Sequence, residues 1–115
     1  MKFKHGRHAP SFILLMLAEA PAYGGLLLEK LEQQVPYNRM DSAATYRALK
    51  DLEKNGAVVS YWDTPSSGRP KKWYRLTDKG WDMLHAFEED VYQSLKGLEF
   101  FLETYEQLKH KKEGD

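Results

Sequence analysis

The chain contains no cysteine. That excludes a disulfide framework, a thiolate nucleophile and cysteine-bound zinc, and it is compatible with a reducing cytosol. There is no net charge either: 17 Lys and Arg balance 17 Asp and Glu, and a zero balance taken alone argues against nucleic acid as a partner. Long apolar runs are missing too. The longest, Phe12 to Ala18, is followed by Glu19 and falls far short of the roughly 20 residues of a membrane-spanning helix. The basic start from Lys2 to His8 followed by that run has the outline of a secretory signal. The run is short, however, and its residues are needed as a core helix, so a cytoplasmic protein with no membrane partner is expected. His5 and His8 stand three apart without a nearby carboxylate, which does not make a metal site. No phosphate loop, nucleophile elbow or dinucleotide fingerprint is present, and Glu88-Glu89-Asp90 reads as a solvated helix face. The expectation is a protein that is not an enzyme and carries no cofactor.

What the 115 residues do contain is a separation of charge. Residues 1–80 carry 13 Lys and Arg against 8 Asp and Glu, while residues 81–115 carry 4 against 9. A basic front and an acidic rear suit a DNA-contacting module with a second task behind it. The length allows one domain, or one domain with an appended helix. Residues 1–9, with Lys2, Lys4 and Arg7, read as a basic flexible arm. Residues 10–78 read as the folded module, 79–110 as a long helix, and 111–115 as a frayed charged tail.

Within the module, Ile13, Met16, Leu17 and Ala20 repeat at helical spacing after Pro10 and Ser11, which is placed to cap that helix. Pro21 ends it. Tyr23, Leu26, Leu27 and Leu31 then predict a second helix to about Gln34. Gly24-Gly25 inside it costs about 1 kcal/mol per glycine relative to alanine. A close helix–helix contact explains that better than space left for a ligand or a DNA backbone. A connection from Val35 to Met40 leads into a third helix with two faces. Thr45, Ala48, Leu49 and Leu52 form a buried stripe. Ala43, Tyr46, Arg47, Lys50 and Lys54 lie on the other side, with small residues near the start. Asp41 or Ser42 can cap it, and Asn55-Gly56 can stop it. Two consecutive helices joined in this way form a helix-turn-helix pattern, whose second helix lies in the major groove of DNA.

After Gly56 the period changes to that of strands. Residues 57–62 and 72–76 are β-branched and aromatic, and the stretch 63–70 between them is rich in turn residues, so a β-hairpin is expected. An isolated hairpin is barely stable, so it must pack on the helices. Trp62, Trp73 and Trp81 are expected to form a small core around it. Arg69, Lys71 and Lys72 at its tip make a basic wing placed to reach phosphates or the minor groove. Thr77-Asp78 caps a final helix in which Leu84, Val91, Leu98 and Tyr105 recur every seven residues, beside Phe87, Ser94, Phe101 and Leu108; Leu95 and Leu102 widen the stripe. Roughly thirty residues at about 1.5 Å each reach about 45 Å. A stripe of that length needs another surface, and a second copy of the same helix provides one. Ser94 and Gly97 suggest a weakened middle. Tyr23, Trp81, Phe87, Val91, Leu98, Phe101 and Tyr105 are candidates for that dimer interface.

These blocks resemble the PadR family of bacterial transcriptional regulators. Tyr23-Gly24 ahead of a leucine-rich helix resembles the family's first motif. Thr45-Tyr46 through Leu52-Glu53-Lys54-Asn55-Gly56 resembles its recognition-helix segment. Gly68-Arg69-Pro70 through Tyr74-Arg75-Leu76-Thr77-Asp78-Lys79-Gly80 resembles its wing, and is the most specific of the three. The likeness spans about residues 9–80, and the final helix fits by position and character. Gly25 stands where the family has a larger residue, and Ala44 and Arg47 replace its common Thr and Pro. The resemblance implies a mainly α fold with a small β-hairpin: a winged helix-turn-helix with a long C-terminal dimerisation helix. It also implies a homodimeric repressor on a pseudo-palindromic operator in double-stranded DNA, released in some relatives by aromatic or drug-like molecules in cavities near the dimer interface. The same Tyr23, Trp81, Phe87, Val91, Leu98, Phe101 and Tyr105 are then the candidates for a pocket holding a small hydrophobic effector. Ser42, Ala43, Tyr46, Arg47 and Lys50 would then meet DNA from the third helix, and Arg69, Lys71 and Lys72 from the wing. The alternative is a winged-helix protein-interaction module whose long helix pairs with a different chain.

Overall fold

The computed structural model describes residues 9–36, 38 and 40–113. The arm at residues 1–8, with the His5–His8 pair, therefore lies outside the described residues, as do Tyr37, Arg39 and residues 114–115. The described chain runs α1 (Ala9–Glu19), β1 (Ala22–Tyr23), α2 (Gly24–Gln34), α3 (Ser42–Lys54), β2 (Val58–Asp63), β3 (Lys71–Leu76) and α4 (Asp78–Glu113). It divides into two compact units, Met1–His85 and Ala86–Asp115.

The first unit is a winged helix-turn-helix. Its core is built from Ile13, Leu14, Met16 and Leu17 of α1, Leu27 and Leu31 of α2, Leu49 and Leu52 of α3, and Ala57, Val58, Tyr74 and Leu76 at the sheet. Apolar burial at these positions is what orders the short helices, which would be marginal in isolation. α1 packs against α2, α3 and β3. It starts at Ala9 rather than at Ser11, because Pro10 fits the first helical turn, where its missing N–H has no intrahelical partner to lose.

The sheet has three strands, not the two of a hairpin. Ala22 and Tyr23 pair antiparallel with Tyr74 and Trp73, giving the order β1-β3-β2 with β3 central. Tyr23 is therefore extended (φ −91°, ψ 166°) and sits just ahead of α2 rather than inside it. Pro21, which lacks an N–H and breaks α1, leaves these two residues free to pair. The small tryptophan core is also corrected. Trp73 packs edge-on against Tyr23 at 5.2 Å between ring centroids, but Trp62 is 64 % exposed and Trp81 is about half exposed. Trp62 lies on the same strand face as Val58, yet near the wing tip, where burial has already fallen away.

In the second unit α4 continues without interruption past Ser94 and Gly97 to Glu113. Val91, Leu95, Leu98, Phe101, Leu102, Tyr105 and Leu108 are all exposed, Leu102 by 65 %. Phe101 and Tyr105 stack at 6.2 Å. No helix among the described residues is long and apolar enough to cross a membrane.

Candidate functional site

The site is assembled around α3, and both ends of that helix are closed by local chemistry. At the start, the Asp41 carboxylate accepts from the Ala44 amide at 2.8 Å, so Asp41 is the N-cap and Ser42 is the first helical residue. Thr45 is fully buried, and its hydroxyl is satisfied by donating to the Asp41 carbonyl at 2.9 Å. At the other end Gly56 takes φ +81°. The Ala57 amide reaches the Leu52 carbonyl at 2.9 Å and the Gly56 amide reaches that of Glu53 at 3.0 Å, the paired bonds of a Schellman stop. Thr45, Leu49 and Leu52 face the core, while Ser42, Ala43, Tyr46, Arg47 and Lys50 are exposed. One helix thus presents a hydroxyl, a methyl, a phenol, a guanidinium and an ammonium to solvent along about two and a half turns.

The wing is fastened to that helix. Glu53, near the end of α3, accepts a short hydrogen bond from the Ser60 hydroxyl of β2. The same carboxylate pairs with Lys72 of β3 at 3.5 Å. Lys72 and Lys71 also lie against aromatic rings, Lys72 5.6 Å from the Tyr74 centroid and Lys71 4.2 Å from that of Tyr23. Of the three wing cations expected to face DNA, Lys72 is thus engaged by α3 and Lys71 is stacked on β1. Arg69 sits at the exposed tip after Gly68, whose φ of +97° makes the turn. A half-exposed ion pair such as Glu53–Lys72 contributes little stability.

Three contributors were hidden from sequence reasoning. Glu53 stood out only as part of the recognition-helix motif, and nothing local marked Ser60 or Lys72 as its partners. Gly24 is the second, where a close contact was expected but its partner was not legible: the Tyr46 side chain lies over it, and a methyl on Gly24 would overlap the phenol, with Cζ at 2.6 Å. The expected close helix–helix contact is therefore present at Gly24, whereas Gly25 faces only the Tyr23 ring, at 3.4 Å. Trp73 is the third. Its register places it between Tyr23 and Tyr61 across the sheet, and its buried indole N–H has no hydrogen-bond partner among the described residues. The β-branched and aromatic character of residues 72–76 marked Trp73 as a strand residue but not as the centre of that row.

The residues expected at an effector pocket or dimer interface fall in both units. Tyr23 and Trp81 belong to the first, and Phe87, Val91, Leu98, Phe101 and Tyr105 to the second. A different concavity, an open groove of about 340 Å³, lies between α2 and the start of α3, lined by Leu28, Glu32, Asn38, Met40, Asp41 and Ser42. It contains none of the aromatic residues proposed for an effector.

Comparison with known proteins gives this arrangement a context. The family model described as the transcriptional regulator PadR-like family matches residues 13–86. A crystal structure of a PadR family transcriptional regulator from Eggerthella lenta DSM 2243 is 30 % identical, with a TM-score of 0.66, covering 84 % of this chain and 86 % of that one. A conserved protein of unknown function described as a potential transcriptional factor is 29 % identical, with a TM-score of 0.76, covering 94 % of this chain and 96 % of that one. PadR of Bacillus subtilis, solved in complex with operator DNA, shares the fold at 23 % identity and a TM-score of 0.65, over 71 % of this chain and 47 % of that one.

Proposed function

The chain belongs to the PadR-like family of transcriptional regulators, and we propose that it acts as a homodimeric repressor which reads a pseudo-palindromic operator with α3 and the wing. The observation that carries this reading is the two-sided α3: a core-facing stripe of Thr45, Leu49 and Leu52, and opposite it an exposed Tyr46, Arg47 and Lys50. In a helix-turn-helix the first turns of the second helix approach base edges. Ser42 and Arg47 would contact bases or sit near them, Arg47 by pairing bidentately with guanine. Ala43 would meet a thymine methyl. Tyr46 and Lys50 would hold phosphates, with Arg69 and Lys71 acting from the wing. Lys72, through Glu53, would set the angle of the wing against α3.

The neutral total is no obstacle to this function, because the charges are separated along the chain. The basic residues 1–80 attract the phosphate backbone and the acidic residues 81–115 repel it, so binding is restricted to one orientation. The exposed stripe from Val91 to Leu108 supplies the surface for a second copy. Two copies present two recognition helices to the two halves of a symmetric site. A dimer seated on such an operator acts most directly by occluding it.

Two substitutions separate the kinds of contact. Arg47→Ala should relax operator choice at a cost of about 1–3 kcal/mol for the preferred sequence, leaving nonspecific binding nearly intact. Lys50→Ala should weaken binding to all DNA, and should flatten the dependence of log Kd on log salt by about one. A gel-shift series at several salt concentrations measures both. Operator affinity unchanged in both variants would mean that α3 is not the reading helix.

A further inference from the structure

We infer that Gly24 is a positioning residue for DNA binding: the side chain it lacks is the space that seats the Tyr46 ring, so α2 decides where the recognition helix presents its phenol. This rests on the reading of α3 as the DNA-contacting helix.

Gly24 opens α2 and is buried. Its backbone does not demand glycine, since the positive φ angles among the described glycines belong to Gly56 and Gly68. The first position of α2 does not demand glycine for the helix either, since helix starts accept most residues. What requires glycine is Tyr46. A methyl would overlap its hydroxyl and Cε1 and would stand 2.6 Å from Cζ. Gly25 has no such neighbour: a methyl there meets only the Tyr23 ring, at 3.4 and 3.7 Å, which is ordinary contact. Adjacent glycines of equal helix propensity therefore differ in what they are for.

The seat is steric. Among the described residues no group hydrogen-bonds to the Tyr46 hydroxyl, and the side chain stays 46 % exposed. Packing against Gly24 therefore holds the ring while its hydroxyl remains available to donate. A displaced tyrosine moves to another staggered well, which carries its hydroxyl several ångströms away. A hydrogen bond to a phosphate oxygen tolerates only a few tenths of an ångström.

The test is a cycle of wild type, Gly24→Ala, Tyr46→Ala and the double variant on an operator fragment recovered by selection. Gly24→Ala should weaken binding about tenfold, with the salt slope unchanged because no cation is removed. Tyr46→Ala should weaken it by a similar factor, and the double variant should be no weaker than Tyr46→Ala alone. A loss from Gly24→Ala that is equal in both backgrounds, or no loss in either, overturns the inference. A DNA-free readout needs no Gly24 variant: the Gly24 α-protons of the wild type should show a ring-current shift in NMR that vanishes in Tyr46→Ala. Absence of that shift removes the seat even if operator binding stands. A wild type that selects no DNA overturns the regulator reading and this role together, while the shift still reports whether the seat exists.

Discussion

Replacing Leu98 and Phe101 together by glutamate is expected to split the proposed dimer and to lower operator affinity by about two orders of magnitude. Both side chains are exposed in the single chain, Phe101 by 62 %, so the change should leave the fold of each copy intact. In an interface between identical copies every substitution occurs twice, so four carboxylates would enter one apolar seam. Burying an unpaired carboxylate costs several kcal/mol, more than the lost apolar contact alone. The effect on DNA follows from linkage. Two tethered recognition helices bind a symmetric site with an avidity that can exceed either alone by roughly 10² to 10⁴, and a monomer loses that factor. Sedimentation velocity reports the assembly, gel shift the affinity, and circular dichroism the helix content. A variant that still sediments as a dimer would place the interface elsewhere. A monomer that keeps full operator affinity would separate assembly from DNA reading. A wild type that is itself monomeric would favour a different chain as the partner of α4.

Gly80→Ala is expected to destabilise the first unit by roughly 3 kcal/mol, at the upper end of overpacking effects. The added methyl would overlap the Ala57 carbonyl oxygen and the Leu76 side chain, whose Cγ would lie at 2.9 Å. Leu76 could turn aside, but the carbonyl cannot, because the Ala57 oxygen accepts from the Thr77 amide at 3.1 Å. The same corner is held twice more: the Thr77 hydroxyl donates to the Gly56 carbonyl at 2.6 Å and accepts from the Gly80 amide at 3.1 Å. One threonine thus caps α4 and clasps the stop of α3. Opening this corner should loosen the recognition helix at its C-terminal end and the strand that leads out of the wing. Thermal unfolding should show a fall of roughly 10 °C for a chain of this size. Gly97→Ala is the control for the first unit, since a methyl there meets nothing of its own chain within 4 Å; the melting of the first unit should be unchanged. An unchanged melting temperature in Gly80→Ala would mean that the corner is looser than the geometry states.

The parts of the fold that were legible in the sequence are those whose causes are local. The period of Thr45, Leu49 and Leu52, the carboxylate of Asp41 and the glycine at 56 each announce α3 within one turn of where they act. Thr77 announces α4 in the same way. The third strand was not legible. Ala22-Tyr23 is too short to show alternation, and its partners Tyr74 and Trp73 lie some fifty residues later. Tyr23 also fits a helical period with Leu26 and Leu27, so the wrong element claimed it. Trp62 shows a second limit. Strand parity tells which face a side chain takes, not whether the helices extend far enough to cover it, and here they do not.

The candidate site divides along the same line. The exposure of Ser42, Ala43, Tyr46, Arg47 and Lys50 follows from the helical period. The pairing of Lys72 with Glu53 and the seat of Tyr46 on Gly24 do not. Those contacts join residues 19 and 22 positions apart, and only the packing of α2, α3 and the sheet brings them together. They join the wing to α3 and α3 to α2 by contacts that neither element's own sequence announces.

If two copies of this chain read one symmetric site, the DNA they prefer must carry that symmetry. Selection of bound sequences from a random double-stranded pool tests it most directly. A dimer of this kind should enrich a pseudo-palindrome whose half-sites are about one helical turn apart, roughly 34–36 Å, or a multiple of that. Recovery of no sequence above the starting pool, or of a single half-site without its symmetric partner, would contradict it.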